Sequence, residues 1–119
     1  MQSSSQAATF YREVADGGLV WTVRDKDGFP APLNADGARA QPFWSSRTRV
    51  ERIISAVSAY QGFIPVEIEL SVFLARWVPG LTKDGILVGV NWTGGRATGY
   101  DIAPAQVAEC IAGASRVGP

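Results

Sequence analysis

The sequence predicts an α+β fold in which a mostly antiparallel sheet has helices packed on one face. Strand-like segments occur in neighbouring pairs joined by turns, and segments with helical periodicity separate those pairs. No regular strand–helix–strand alternation of the dinucleotide-binding kind is present. The 119 residues have the length of one ordinary domain. We therefore expect residues 1–119 to form a single domain, with residues 1–6 disordered.

The first part of the chain predicts one helix followed by two or three strands. Apolar residues recur at three- and four-residue spacing over residues 7–14, which is typical of an amphipathic helix. Residues 19–23 are rich in β-branched and aromatic side chains and predict a strand, and residues 25–28 predict a turn. Residues 29–33 contain two prolines and form either an edge strand or an extended loop. Residues 40–44 predict a short strand.

The clearest helix lies in the middle of the chain. Ser45 or Ser46 is a suitable N-cap, and Gly62 lies beyond its end. Its apolar residues recur at i, i+3, i+4 and i+7, so we expect one stripe to face the core. That stripe consists of Val50, Ile53, Ile54 and Val57.

The remaining segments predict a strand, a short helix, a strand hairpin and a last helix. Residues 66–70 alternate between apolar and polar, which indicates a half-buried strand, and residues 72–78 predict the short helix. Residues 86–92 are apolar on both faces and indicate a central strand, with residues 97–102 returning beside them. Pro104 suits the first position of the last helix.

Composition and charge exclude several classes of function. Eleven basic and eleven acidic residues give a formal net charge of zero, which argues against broad electrostatic binding to nucleic acid or to an anionic membrane. The longest apolar stretch, residues 86–90, is far too short to span a bilayer. The N-terminus has no signal-peptide pattern, and Cys110 is the single cysteine. We therefore expect a cytoplasmic protein without disulfides.

The sequence contains no histidine, which removes most nucleophilic and metal-dependent chemistry. Neither a serine nor Cys110 has the usual general base, and zinc sites require several Cys or His ligands. Residues 25–28 resemble the start of a calcium loop and residues 94–99 have the glycine spacing of a phosphate loop, but both lack the rest of their motifs and predict turns. We predict no catalytic residue, metal ligand or cofactor.

Glu67 and Glu69 are the one pair of carboxylates with a suggestive spacing. They lie on the same face of a predicted strand at a separation of about 7 Å, which is compatible with a glycosidase pair. The same alternation is typical of a solvated strand face, and no cleft-forming loop adjoins them in the sequence.

Arginines and tryptophans supply the candidate binding residues. Three arginines in the first turns of the middle helix, next to an aromatic pair, indicate either a basic, aromatic patch for an acidic partner or an ordinary solvated helix face. Two tryptophans beside the predicted ends of secondary-structure elements are candidates for a partner surface, whereas Trp21 and Trp92 are expected in the core. The tentative binding set is Trp44, Arg47, Arg49, Arg52 and Trp77.

Three stretches in this order resemble the bacterial domain of unknown function 2750 family. They are residues 41–45 (QPFWS), residues 73–81 (FLARWVPGL) and residues 84–92 (DGILVGVNW), and the resemblance extends over residues 8–115. It implies a compact α+β domain with no assigned activity, cofactor or catalytic residue. The middle helix departs from the acidic character expected of the family, because it carries arginines.

The leading interpretation is a non-catalytic protein-interaction module with an unknown protein partner. We also expect a homodimer that buries Trp44 or Trp77, since zero net charge leaves little repulsion between copies. The alternative is an enzyme that works with carboxylates and arginines alone. Its candidate residues are Glu67, Glu69, Arg76 and Arg96.

Overall fold

Helices and strands follow the predicted order in the computed structural model, which describes residues 2–95 and 97–117. The strands are β1 (Leu19–Arg24), β2 (Ala40–Phe43), β3 (Ile64–Glu69), β4 (Leu87–Thr93) and β5 (Thr98–Ile102). The helices are α1 (Gln2–Gly17), α2 (Arg47–Ala56), α3 (Leu70–Val72), α4 (Val78–Asp84) and α5 (Pro104–Val117). A 3-10 turn at Ser58–Tyr60 follows α2, and a π-helical turn at Phe73–Trp77 joins α3 to α4.

The strands form two sheets that a single bridge connects. β1 pairs antiparallel with β3, while β4 lies between β2, which is parallel to it, and β5, which is antiparallel. The backbones of Trp21 and Trp44 exchange two hydrogen bonds of 2.8 and 2.7 Å, which align β1 beside β2. The strand order is therefore β3-β1-β2-β4-β5. The predicted α+β class is confirmed, and β4 lies centrally as expected.

The core is divided between the two faces of this sheet. Val20 and Phe43 pack on one face with α1, α4 and α5. Their chain neighbours Trp21 and Trp44 point to the other face and pack with α2. Helices thus cover both faces, whereas the prediction placed them on one. The reason is that β1 and β2 are apolar on both sides, so each side requires a cover.

The middle helix has the predicted register. Val50 and Ile53 are buried, Val57 is buried at the C-cap, and Ile54 is half-buried against the same cluster. Ser46 is the N-cap, and its Oγ accepts a hydrogen bond of 3.2 Å from the Arg49 backbone N–H. One of the two predicted caps is therefore correct.

The N-terminal segment differs from the prediction, and the proline-containing segment adopts one of its two predicted alternatives. Residues 2–6, expected to be disordered, form the first turns of α1, while Met1 lies outside the described residues. Residues 29–33 form an extended loop, the second of the two alternatives, with an isolated bridge between Leu33 and Arg39. Within the described residues, no helix combines the length and hydrophobicity that a membrane span requires.

Candidate binding groove

A groove of about 620 Å³ lies on the same face of the sheet as α2. Leu87 and Trp92 of β4 form its floor, the loop at residues 32–36 forms one wall, and the 3-10 turn and residues 99–101 of β5 close the other sides. Its volume falls within the range of about 300–1,000 Å³ that is typical of ligand-sized clefts.

Asp101 ties the loop wall to the floor. Its Oδ1 accepts a hydrogen bond of 2.9 Å from Trp92 Nε1, and its Oδ2 accepts one of 3.0 Å from Asn34 Nδ2. The Oδ1 atom of Asn34 in turn accepts the backbone N–H groups of Asp36 and Ala38. This side-chain-to-backbone pattern fixes the turn of the loop. The wall is therefore held at the position where it borders the floor.

The floor is flat because Trp92 lies over a glycine. A Cβ atom at Gly89 would lie 2.3 Å from Cε2 of the Trp92 indole, so no larger residue fits beneath the ring. The backbone carbonyl of Trp92 accepts a hydrogen bond of 3.0 Å from Trp44 Nε1. Both the ring and the backbone of this residue are thus held in place.

The groove combines an apolar surface with acidic groups. Leu33 at its rim is 61% exposed, whereas Tyr60 in its wall is buried. Burial raises the pKa of Tyr60 above its ordinary value of 10.0, so its hydroxyl stays protonated at neutral pH. Asp36 and Asp101 are the charged residues of the lining, and no Arg or Lys of the described chain contributes to it. The groove therefore favours apolar and cationic ligands over anionic ones.

A polar network joins α1, α2, β4 and the segment between β2 and α2. Asn91, at a bulge of β4 with φ of 49°, accepts the Ser45 backbone N–H at 2.9 Å and donates to Ser45 Oγ at 2.9 Å. Ser45 Oγ donates to Glu13 Oε1 at 2.5 Å. Glu13 of α1 also accepts two hydrogen bonds, of 3.0 and 3.1 Å, from the Arg49 guanidinium of α2. Two stretches that carry the family resemblance, residues 41–45 and 84–92, meet in this network.

Trp44, one of the predicted surface residues, is fully buried. Its side chain is 0% exposed, packs edge-to-face on Tyr60 and donates its Nε1–H to Trp92. The expectation that it contributes to a partner surface is therefore wrong. The strand continues to Trp44 through its bridge to Trp21, which directs the indole into the core beneath α2.

The predicted arginine patch is partly neutralised by acidic residues. Arg47 pairs with Glu51 at 2.8 Å and lies over the Trp21 ring, with its Cζ atom 5.9 Å from the ring centroid. Arg49 pairs with Glu13. The sequence does not predict this pair, because Glu13 lies in another helix. Arg52 is exposed and lines a cavity of about 170 Å³ together with Arg49.

Trp77 lies in a different region from the arginines. It is half-buried, packs edge-to-face on Phe29 at a centroid distance of 4.9 Å and on Phe43 at 5.8 Å, and lines a cavity of about 240 Å³ with Arg76. Phe29 remains 41% exposed beside it. The tentative binding residues therefore do not form one site.

The candidate catalytic residues are likewise not brought together. Glu67 and Glu69 are exposed on the edge strand β3 and line none of the cavities described here, whereas Arg76 borders the Trp77 cavity. Arg96 lies outside the described residues. Within residues 2–95 and 97–117, no three His, Cys, Asp or Glu side chains cluster as metal ligands would.

The two loop-like motifs form turns, as predicted. Asp25 and Gly28 exchange backbone hydrogen bonds of 3.1 and 3.2 Å, and the Asp25 carboxylate accepts the Asp27 backbone N–H at 2.9 Å. The glycine-rich segment at residues 94–97 connects β4 to β5 rather than opening a helix. Neither segment has the architecture of the calcium or phosphate loop that it resembles in sequence.

The groove has no signature in the sequence. Leu33 lies in a segment predicted as an edge strand or an extended loop, and Asp101 in a predicted strand, without any sign that these segments meet. The run from Asn34 to Gly37 is a turn signal, which is the only local trace of the wall. The partners in the wall are 67 positions apart in the chain, so their contact has no sequence pattern.

Together, the fold and the groove define a small α+β domain with an open, apolar and acidic groove on one sheet face. Residues 7–111 match the family described as "Protein of unknown function (DUF2750)", and the chain therefore belongs to that family. This confirms the resemblance found in the sequence.

Comparisons with other proteins include a distant structural similarity. No curated protein matches the chain. Among solved structures, Tic22 from Anabaena, described as a protein of protein transport, is similar over 68% of this chain with 15% identity and a TM-score of 0.43. The chain spans less than half of that protein, covering 45% of its length.

Proposed function

We propose that this protein is a non-catalytic interaction module that binds a segment of a partner protein in the groove. One observation carries the proposal: an open groove of about 620 Å³ is lined by aromatic and aliphatic residues, and Leu33 at its rim is exposed to solvent. Apolar surface of this kind, bordered by polar groups, is typical of sites that another molecule covers. The proposal agrees with the lack of converging nucleophile, base and acid among the lining residues.

A capture experiment with a matched pair of variants tests this function. Leu33→Asp places a charge on the groove rim, whereas Ile64→Asp places the same charge on an exposed residue of β3 that does not line the groove. The Leu33 side chain is 61% exposed and the Ile64 side chain is 53% exposed, so neither change should unfold the domain. We expect tagged wild-type protein and the Ile64→Asp control to retain a stoichiometric protein partner from their own cells, and Leu33→Asp to lose it.

The proposal fails if partner recovery is the same with Leu33→Asp as with wild type, or if no stoichiometric protein accompanies any of the three. Circular dichroism of each variant establishes that the domain remains folded before the capture is interpreted. A variant that loses its partner while keeping the wild-type spectrum supports the groove as the binding site.

The proposed setting is a bacterial cytoplasm, in which the module forms a homodimer. The single Cys110 and the balanced charge support that compartment. Phe29, 41% exposed against the half-buried Trp77, supplies the apolar surface on which two copies would meet. Trp44 takes no part in this contact because it is buried in the core.

A further inference from the structure

We infer that the groove binds an extended peptide segment in which a lysine or arginine lies next to an apolar side chain. The inference rests on the proposed function and adds to it the chemistry of the bound segment. It follows from the charge of the lining, from the shape of its apolar surface and from the strand that forms one side.

Asp101 provides a negative charge in the groove. Both of its oxygens accept hydrogen bonds, but the donors are the Trp92 indole and the Asn34 amide, which are neutral. Its negative charge, on a half-buried side chain, is therefore oriented without being neutralised by these partners. Asp36 adds a second carboxylate to the lining, and the described lining residues include no cation. A cationic group entering the groove is attracted, and an anionic group is repelled.

An apolar surface lies beside this charge. Trp92 and Leu87 form the floor, and Leu33 forms the rim. The aliphatic stem of a lysine or arginine packs along such a surface while its charged end reaches a carboxylate. A neighbouring apolar side chain covers Leu33, whose side chain is 61% exposed. A cation without an apolar neighbour would leave Leu33 in contact with water.

The strand β5 forms one side of the groove. This strand pairs with β4 alone in the described part of the chain, and its residues 99–101 line one side of the groove. A strand with an unpaired edge offers backbone N–H and C=O groups to an extended segment. An extended segment also directs alternate side chains to the same side, which places two of them over one groove.

The test compares three fluorescein-labelled nonapeptides in which leucine alternates with lysine, glutamine or glutamate. Fluorescence anisotropy measures their affinities, and amide NMR shifts locate the binding site. We expect the Leu–Lys peptide to bind about tenfold more tightly than the Leu–Gln peptide, and the Leu–Glu peptide not to saturate. The shifts should concentrate at Leu33, the Asn34 side-chain amide and the Trp92 indole. Equal affinities for the three peptides, or shifts elsewhere, would overturn the inference.

Variants that replace each aspartate by asparagine test whether its charge attracts the Leu–Lys peptide. Asp101→Asn and Asp36→Asn should each weaken the Leu–Lys peptide and leave the Leu–Gln peptide unchanged. Asp84→Asn removes an exposed carboxylate that borders the separate Trp77 cavity, so it should retain wild-type affinity. Because Asp101→Asn alters a hydrogen-bonded wall, Asp36→Asn provides the same test at an exposed position. Leu–Lys affinity that neither variant changes contradicts the charge argument.

The two proposals can fail separately. If Leu33→Asp abolishes partner capture but the Leu–Lys peptide binds no better than the others, the groove is an interaction site with a different ligand chemistry. If capture is unaffected by Leu33→Asp and no peptide binds, both proposals are wrong.

Discussion

Gly89 shows how one residue shapes the groove. The Trp92 indole lies against its Cα, and this position of the ring lets Nε1 donate to Asp101 while the ring forms the floor. In the sequence, Gly89 only interrupts an apolar strand. Its role depends on Trp92, three positions later in the chain. A bulge in β4 turns Trp92 to the same face as Gly89, which strict alternation along a strand does not predict.

We expect Gly89→Ala to destabilise the fold by about 1–3 kcal/mol, because the added methyl group would overlap the Trp92 ring. The same edge of the ring donates Nε1–H to Asp101, so the ring cannot move away without losing that hydrogen bond. Urea unfolding measures the effect.

Gly113→Ala in α5 is the control for that substitution. No atom lies within 4 Å of the Cβ position at Gly113, so alanine there should raise the free energy of unfolding by about 0.5–1 kcal/mol through its helix propensity. If Gly89→Ala is as stable as wild type, the placement of Trp92 described above is incorrect.

At the scale of elements, α2 is the helix that the sequence describes best. Its apolar stripe and one of its two predicted caps are correct because both are local patterns. Its attachment to α1 is different. The Arg49–Glu13 pair joins residues 36 positions apart, and the arginine appeared in the sequence as part of an exposed patch. Folding converts part of that patch into a link between helices on opposite faces of the sheet.

We expect Ser46→Ala to lower the free energy of unfolding by about 0.5–2 kcal/mol, because the Arg49 backbone N–H loses its acceptor. Ser46→Asp keeps a side-chain acceptor and adds a negative charge at the helix N-terminus, so it should be at least as stable as wild type. Thermal unfolding of both variants measures this, and equal melting temperatures for alanine and aspartate would exclude a capping role.

The Glu13 carboxylate should make stability depend on pH. Hydrogen bonding from Arg49, with a further contribution from Ser45, holds its pKa below the ordinary 4.5 against the opposing effect of burial. A carboxylate with a lowered folded-state pKa stabilises the fold above its unfolded-state pKa, and this contribution is lost as the pH falls through the folded-state value. We therefore expect the stability difference between wild type and Glu13→Gln to shrink as the pH falls below 4.5.

Urea unfolding at several pH values measures that difference. Glu109→Gln, which changes an exposed glutamate of α5, serves as the control and should follow the wild-type curve. A constant difference between wild type and Glu13→Gln across the acidic range would contradict the role given to the Arg49 pair.

At the scale of the whole molecule, the sheet has helices on both faces and edges at β3 and β5. Pro65 in β3 lacks a backbone N–H, a feature that discourages pairing with another strand. Self-association is therefore better supported by side-chain packing around Phe29 and Trp77 than by pairing at that edge.

We expect light scattering at micromolar concentration to give twice the chain mass of 12.7 kDa. Phe29→Asp should return the protein to the monomer mass by placing a charge on the contact surface, whereas Ile64→Asp should not. A mass near 12.7 kDa at all concentrations of the wild type refutes the dimer.

The sequence by itself determined the order and type of the elements, the core stripe of α2, the turns at residues 25–28 and 94–97, and the family. These properties depend on periodicity, turn residues and short motifs, which act between neighbours in the chain. The tertiary structure alone decided that Trp44 is buried, that Arg49 pairs with Glu13 and that Asp101 meets Asn34 to form a groove. Those contacts join residues 36 to 67 positions apart, and only the packing of helices and strands against each other brings such residues together.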